Sequence, residues 1–239
     1  MKWKTNITEI RGGEEYIRGT RLSDMIQKSD FVDAIFLLWT GRAPSNEERT
    51  MLHALFVSCI DHGVGAPSAT VARTVASTGN SVHTALAAGI AALGTLHGGS
   101  IEGAAEFFHE HVNTAEVGAL VAEKKKQGCR IPGFGHKVLT KDGRATALFG
   151  VAKKTGFYGR HSVFAQQIEH ELNAGSSKQV PLNIDGVMAA VILDMGFEPA
   201  VAQGFFIVGR VPGLIAHILE EKRGAAGLRR IDETDIVYE

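Results

Sequence analysis

The 239-residue chain has only two cysteines and six prolines, and no surplus of either charge, with 25 Lys and Arg against 26 Asp and Glu. Each scarcity excludes something. Cys59 and Cys129 are too few for a disulfide framework and neither has a CxxC partner, so a reducing, cytoplasmic setting is expected. Balanced charge without a long basic stripe offers little to nucleic acid or an anionic membrane, and the tripeptide Lys124-Lys125-Lys126 is a small exception. No apolar run approaches the roughly 20 residues that span a bilayer, and the start MKWKTNITEI lacks the apolar stretch of a signal peptide. GxxxxGK[ST] is missing, so ATP use would belong to a separate protein. HExxH is missing too, and His109 and His111, two residues apart, point to different sides of a helix, so no metal site is expected.

What is present is a core-forming composition, 44% apolar and 21% charged, with helical periodicity over most of the length. Phe31, Ile35 and Leu38 make one apolar face after the candidate N-cap Ser29, and Gly41 and Pro44 end it. Ser45 and Glu48 have capping-box spacing, and Met51, Leu52, Leu55, Phe56 and Cys59 continue a single stripe. Further helices are expected near 68–77, 80–94, 99–112, 114–127, 144–155, 160–174, 184–196, 198–208 and 210–222. Strand signals are confined to the ends, KWKTNITEI and IDETDIVYE, so the fold class is all-α with at most a short terminal hairpin or β-pair. The 28 glycines fall largely between helices, where positive φ or close backbone approach is useful. The helical pattern breaks around 113–143, but two independent domains are not established, and the chain reads as one compact unit, 1–239.

Chemistry concentrates at turns. Asp61-His62-Gly63, Leu96-His97-Gly98-Gly99 and Gly133-Phe134-Gly135-His136 each set an imidazole beside glycines that let a ligand approach the main chain, although any one alone is also an ordinary helix-end cap. Asn183-Ile184-Asp185-Gly186 opens an apolar helix, where Asn183 or Asp185 would cap and a shielded Asp185 carboxylate could also act as general base. Arg144, Arg210 and the pair Arg229-Arg230 supply planar cationic forks that would suit a di- or tricarboxylate if they converge.

Taken in order, DHGVGAPSATVAR, LHGGSIEGA, IPGFGHKVL with KDGRA, PLNIDGVMAAVILD and GRVPGLIAHILEEK resemble the citrate synthase family, and IRGTRLSDMIQKSDFVDAIFLLWTGRAPS is similar to its amino-terminal pattern. The long helical stretch that synthases carry between the GRAPS-like and DHG-like motifs is reduced here to Asn46–His62. That compactness and the ending EEKRGAAGLRRIDETDIVY look more like citryl-CoA lyase and the lyase module of ATP-citrate lyase. Lys137 and DGRA stand where the family more often has arginine and DPRA, and His97 matches the synthases rather than the ATP-citrate lyase module.

The resemblance implies a multi-helical fold with a large and a small helical part around the active-site cleft, with about 130–210 as a candidate small-domain insertion. It assigns His97 to the thioester oxygen, Asp185 to the methyl proton, and His136 to the oxaloacetate carbonyl or citryl hydroxyl. His62, Arg144, Arg210 and Arg230 would hold carboxylates, with Arg229 competing for the last position and Arg230 reaching into a neighbouring subunit. Coenzyme A would lie along Lys124, Lys125 and Arg130 and the loop through Ile131, Gly133 and Gly135. The implied reaction is cleavage of citryl-CoA to acetyl-CoA and oxaloacetate, with citrate or 2-methylcitrate synthase as the alternative and a silent assembly module for a CoA-ligase partner as another. No tightly bound cofactor is implied beyond the coenzyme A thioester substrate. A homo-oligomer built from dimers and a separate citryl-CoA synthetase complete the expectation.

Overall fold

The computed structural model describes residues 2–135, 142–176, 179–224 and 227–238. It is all-α apart from one small sheet, and the chain packs as two compact units, Met1–Ala54 and Leu55–Glu239.

In the first unit, β1 (Thr8–Arg11), β2 (Glu14–Ile17) and β3 (Thr20–Arg21) form an antiparallel meander. Its two-residue turns, Gly12-Gly13 and Arg18-Gly19, have all four φ angles positive, the twist that matches tight hairpins. Arg18 accepts that conformation while its Nε and Nη2 donate to the Leu38 carbonyl at 3.2 and 3.0 Å. Helices α1 (Leu22–Lys28) and α2 (Phe31–Thr40) follow, and α3 (Asn46–Ser58) crosses into the second unit. The N-cap of α2 is Asp30 rather than Ser29, because the Asp33 carboxylate accepts the Asp30 N–H at 3.2 Å. The Ser45–Glu48 capping box forms as its spacing predicts, with Ser45 N–H donating to Glu48 at 2.7 Å and Glu48 N–H to Ser45 Oγ at 3.1 Å.

The second unit contains α4 (Pro67–Ser77), α5 (Val82–Ala91), α6 (Ser100–His111), α7 (Val117–Lys126), α8 (Gly143–Thr155), α9 (Arg160–Asn173), α10 (Ile184–Asp194) and α11 (Ala202–Arg223). Helix α10 lies at its centre, with Val187 through Ile192 fully buried, and packs on α6, α8 and α9. Alanines 69, 72, 76 and 85 of α4 and α5 close on Leu214 and Ile218 of α11. The carboxylate of Asp194, at the end of α10, takes the N–H groups of Gly159, His161 and Ser162 at 2.9–3.0 Å and so caps α9 from 32–35 residues away.

Two further expectations change. The pattern that suggested helices 198–208 and 210–222 is one continuous α11 with Pro212 inside it. Gly209 and Gly213 do not break α11; they let residues 56–61 approach so closely that a Cβ would strike Cys59 Sγ at one position and the Ile60 carbonyl at the other. With the turn before it, Pro199–Arg223 is long and apolar enough to cross a membrane, with mean hydropathy 1.4 over 18 residues, although here α11 packs on α4, α5 and α6. The C-terminal strand signal is also not realised: the described tail contains a short 3-10 turn at Glu233–Asp235.

Candidate active site

Two helix N-termini build the centre. Between α5 and α6 the chain folds back so that His97 N–H donates to the Gly94 carbonyl and Gly94 N–H to the His97 carbonyl, both at 2.8 Å. Gly98, at φ +77° with the Phe206 ring 2.7 Å from where a Cβ would stand, is required both by conformation and by space. His97 is thereby held half-buried. Its Nε2 faces Ser68, at 2.8 Å from Oγ and 3.2 Å from the backbone N–H.

Asp185 occupies the first turn of α10, whose N-cap is Asn183: the Asn183 Oδ1 accepts the Gly186 N–H at 3.1 Å. Ser100, at the start of α6, donates its hydroxyl to Asp185 Oδ2. Asn183 also ties down the loop that leads to His136. Asn183 N–H donates to the Gly133 carbonyl at 3.0 Å, its Nδ2 donates to the Gly135 carbonyl at 3.0 Å, and Gly135 N–H donates to the Pro181 carbonyl at 2.7 Å. Gly133 lies so close to α10 that a Cβ there would be 2.7 Å from Gly186 Cα. His136 itself lies outside the described residues.

The cations converge on the same place. Arg210 is buried on α11, with Nε donating to the Cys59 carbonyl at 2.7 Å and its guanidinium 4.7 Å from the Phe206 ring centre. Arg144 grips Asp142 through Nε at 3.1 Å and Nη2 at 2.9 Å, and its Nη1 lies 3.4 Å from His62 Nδ1. Burial opposes ionisation of Asp142, yet its bonds to the Arg144 side chain, that residue's charge, and the N–H groups of Arg144 and Ile184 hold it below the usual carboxylate range. Burial lowers the His97 pKa, as do the nearby charges of Arg210 and His62, while Asp185 works weakly the other way. His97, Asp185, Arg210, His62 and Arg144 therefore share one electrostatic neighbourhood.

The remaining candidates divide. Arg229 is committed to Glu221, to which Nε and Nη2 donate at 2.8 and 2.9 Å, whereas Arg230 is exposed and has no ion pair among the described residues. Lys125 closes the carbonyl end of α9 by donating to Glu171 and Leu172 at 3.2 and 3.1 Å, and Lys124 sits 5.8 Å from the Phe107 ring centre. Arg130 is exposed and Ile131 is buried. Sequence reasoning passed over Ser68, Ser100 and Asp142, each of which acquires its role from a partner distant in the chain or from a helix start that no local pattern marks.

An almost wholly helical scaffold that gathers a half-buried imidazole, a carboxylate and guanidinium forks has the groups that acid–base chemistry beside an anionic ligand requires. Residues 45–231 match the family described as citrate synthase, C-terminal domain, and the chain belongs to the citrate synthase family. It superposes on the citryl-CoA lyase of Hydrogenobacter thermophilus with a TM-score of 0.92 at 42% identity, over 99% of this chain and 94% of that one. It also superposes on ATP citrate lyase of Methanothrix soehngenii, solved with citrate and coenzyme A, with a TM-score of 0.90 at 28% identity, over all of this chain and 42% of that one. ATP-citrate synthase beta chain protein 1 of Oryza sativa is 27% identical over 98% of this chain, which spans 41% of that relative's length.

Proposed function

We propose that the protein cleaves citryl-CoA to acetyl-CoA and oxaloacetate. The observation that carries this is the shared electrostatic neighbourhood of His97, Asp185, Arg210, His62 and Arg144, on a chain that matches nearly the whole length of a citryl-CoA lyase.

The chemistry follows from the arrangement. Ser68 N–H donates to His97 Nε2, so that nitrogen is an acceptor and the neutral ring carries its proton on Nδ1. Nδ1–H is the donor for the thioester oxygen. His136 would take the proton of the citryl hydroxyl. The bond between the carbinol carbon and the methylene next to the thioester breaks, its electron pair passes into the thioester enolate, and the carbinol oxygen becomes the ketone of oxaloacetate. Asp185, in its acid form, delivers a proton to the enolate carbon and completes the methyl group of acetyl-CoA, and proton exchange with solvent resets both groups. Arg144 and Arg210 hold carboxylates, so the substrate's charge orients the breaking bond. Coenzyme A would run past Arg130 and the Gly133–Gly135 loop, with Lys124 and Lys125 serving mainly to fix that wall.

A separate citryl-CoA synthetase would supply the substrate, and a dimer with Arg230 completing a neighbouring site is part of the same proposal. Fully exposed Leu96, together with exposed Ile231 and Val237, gives apolar surface for such an interface. The unpaired thiols of Cys59 and Cys129 suit a reducing cytoplasm.

The test is a product assay with purified protein and citryl-CoA. Oxaloacetate release without citrate supports the lyase; free citrate and CoA would identify a synthase; turnover of neither substrate pair, with capture of a CoA-ligase partner, would identify an assembly module. Light scattering reads the oligomeric state.

A further inference from the structure

Asp185 is the group expected to move a proton at carbon, and that role demands a fixed direction of approach. Its Oδ2 accepts the hydroxyl of Ser100, while its Oδ1 has no hydrogen-bond partner among the described residues. The two side chains belong to different helices, Ser100 to the first position of α6 and Asp185 to the second of α10, and those helices pack together. Ser100 follows directly on the His97-Gly98-Gly99 turn, so the residue that holds the carboxylate is rigidly linked to the imidazole. A carboxylate on two rotatable bonds, at the start of a helix and only half-buried, has several staggered orientations available. The serine selects one.

We propose that Ser100 is a positioning residue for the proton transfer at carbon: it holds Asp185 Oδ2 so that Oδ1 alone is presented to the acyl carbon, in register with His97. The inference rests on the lyase reading. A hydrogen bond from an uncharged donor to a carboxylate is among the stronger ones in a protein, and a misplaced catalytic group loses rate without losing substrate affinity.

Three predictions separate this from a structural role. Ser100→Ala lowers kcat for citryl-CoA about ten- to hundredfold with KM within about twofold. Ser100→Thr, which keeps the hydroxyl, stays within about threefold of the wild type in kcat. In an Asp185→Asn background, Ser100→Ala costs nothing further, because it acts through the carboxylate. Cooperative melting curves establish that each variant is folded, and if the alanine variant does not fold, Ser100→Cys, of similar size with a weaker donor, carries the same expectation. Full kcat in a folded alanine or cysteine variant, or a loss that multiplies with that of Asp185→Asn, overturns the positioning role while leaving the lyase reading intact. A wild-type protein that cleaves no citryl-CoA overturns both.

Discussion

Ser68 directs two donors, its backbone N–H at 3.2 Å and its hydroxyl at 2.8 Å, at the same nitrogen of His97. Ser68 is fully buried in the first turn of α4, so the contact is set by the scaffold rather than by a surface side chain. A protonated Nε2 would place N–H against N–H. The contact and the lowered pKa both favour the neutral ring, which is the form that can stabilise an enolate by hydrogen bonding and remain uncharged afterwards.

The pH dependence has a definite sign. The His97 pKa lies below its ordinary 6.5, so the neutral imidazole that the proposed cleavage uses should persist as pH falls through 6.5 and be lost at lower pH. The unfolded chain binds that proton more readily than the folded one, so stability also declines as pH drops from about 6.5 downward. Urea midpoints measured at about pH 7.5 and pH 5.5 should differ less in His97→Gln than in the wild type.

The two arginines near the tail should separate cleanly. Arg229→Ala strips a two-point ion pair from Glu221, whose side chain is 1% exposed and keeps only Arg73. Tm should fall, because Glu221 is left buried with one fewer cation, and kcat/KM should change little. Arg230→Ala should leave Tm within about 1 °C and lower kcat/KM at least tenfold if it serves a site. Calorimetry and steady-state kinetics on the same preparations read both.

Two glycine substitutions test the wall beside α10. Gly133→Ala meets a positive φ and the backbone of Gly186, so it should destabilise by about 2 kcal/mol or more and reduce activity by displacing the loop that leads to His136. Gly150→Ala, in the interior of α8 with open space around it, should stabilise by about 0.5–1 kcal/mol. Chemical denaturation midpoints would show the opposite signs.

Asp194→Asn exchanges one of two acceptor oxygens for a donor where N–H and O–H groups converge. A loss of about 3 kcal/mol is expected, or about 8 °C in Tm, with fraying of the start of α9 read by amide exchange at His161 and Ser162.

Much of the site was legible because it lies at turns. The LHGGS and NIDG segments combine a candidate side chain with residues that a tight turn or a helix start requires, and both are found at such places. The helix stripes were legible for the same local reason. Other features were not. Gly209 and Pro212 carry the local signature of a helix break, but the neighbouring segment 56–61 needs the room that glycine provides, and packing overrides propensity. The C-terminal run IDETDIVYE has strand-forming residues, yet a strand needs a partner, and the sheet that forms closes locally within residues 8–21. Asp194 carried no signal of its role, because a cap given to another helix across 33 residues has no short-range pattern. Ser68 and Ser100 were invisible for that reason too: a serine near a helix start is ordinary until its partner is known.

The two thiols differ in a way that is useful at the bench. Cys59 is wholly buried and its thiol is pushed up to about 12 by that burial, so maleimides should pass it by in the folded protein. Cys129 is exposed, one residue before Arg130 on the segment proposed to face coenzyme A. A single fluorophore can therefore be attached to the unmutated chain beside that segment, giving an optical reporter of thioester arrival independent of turnover.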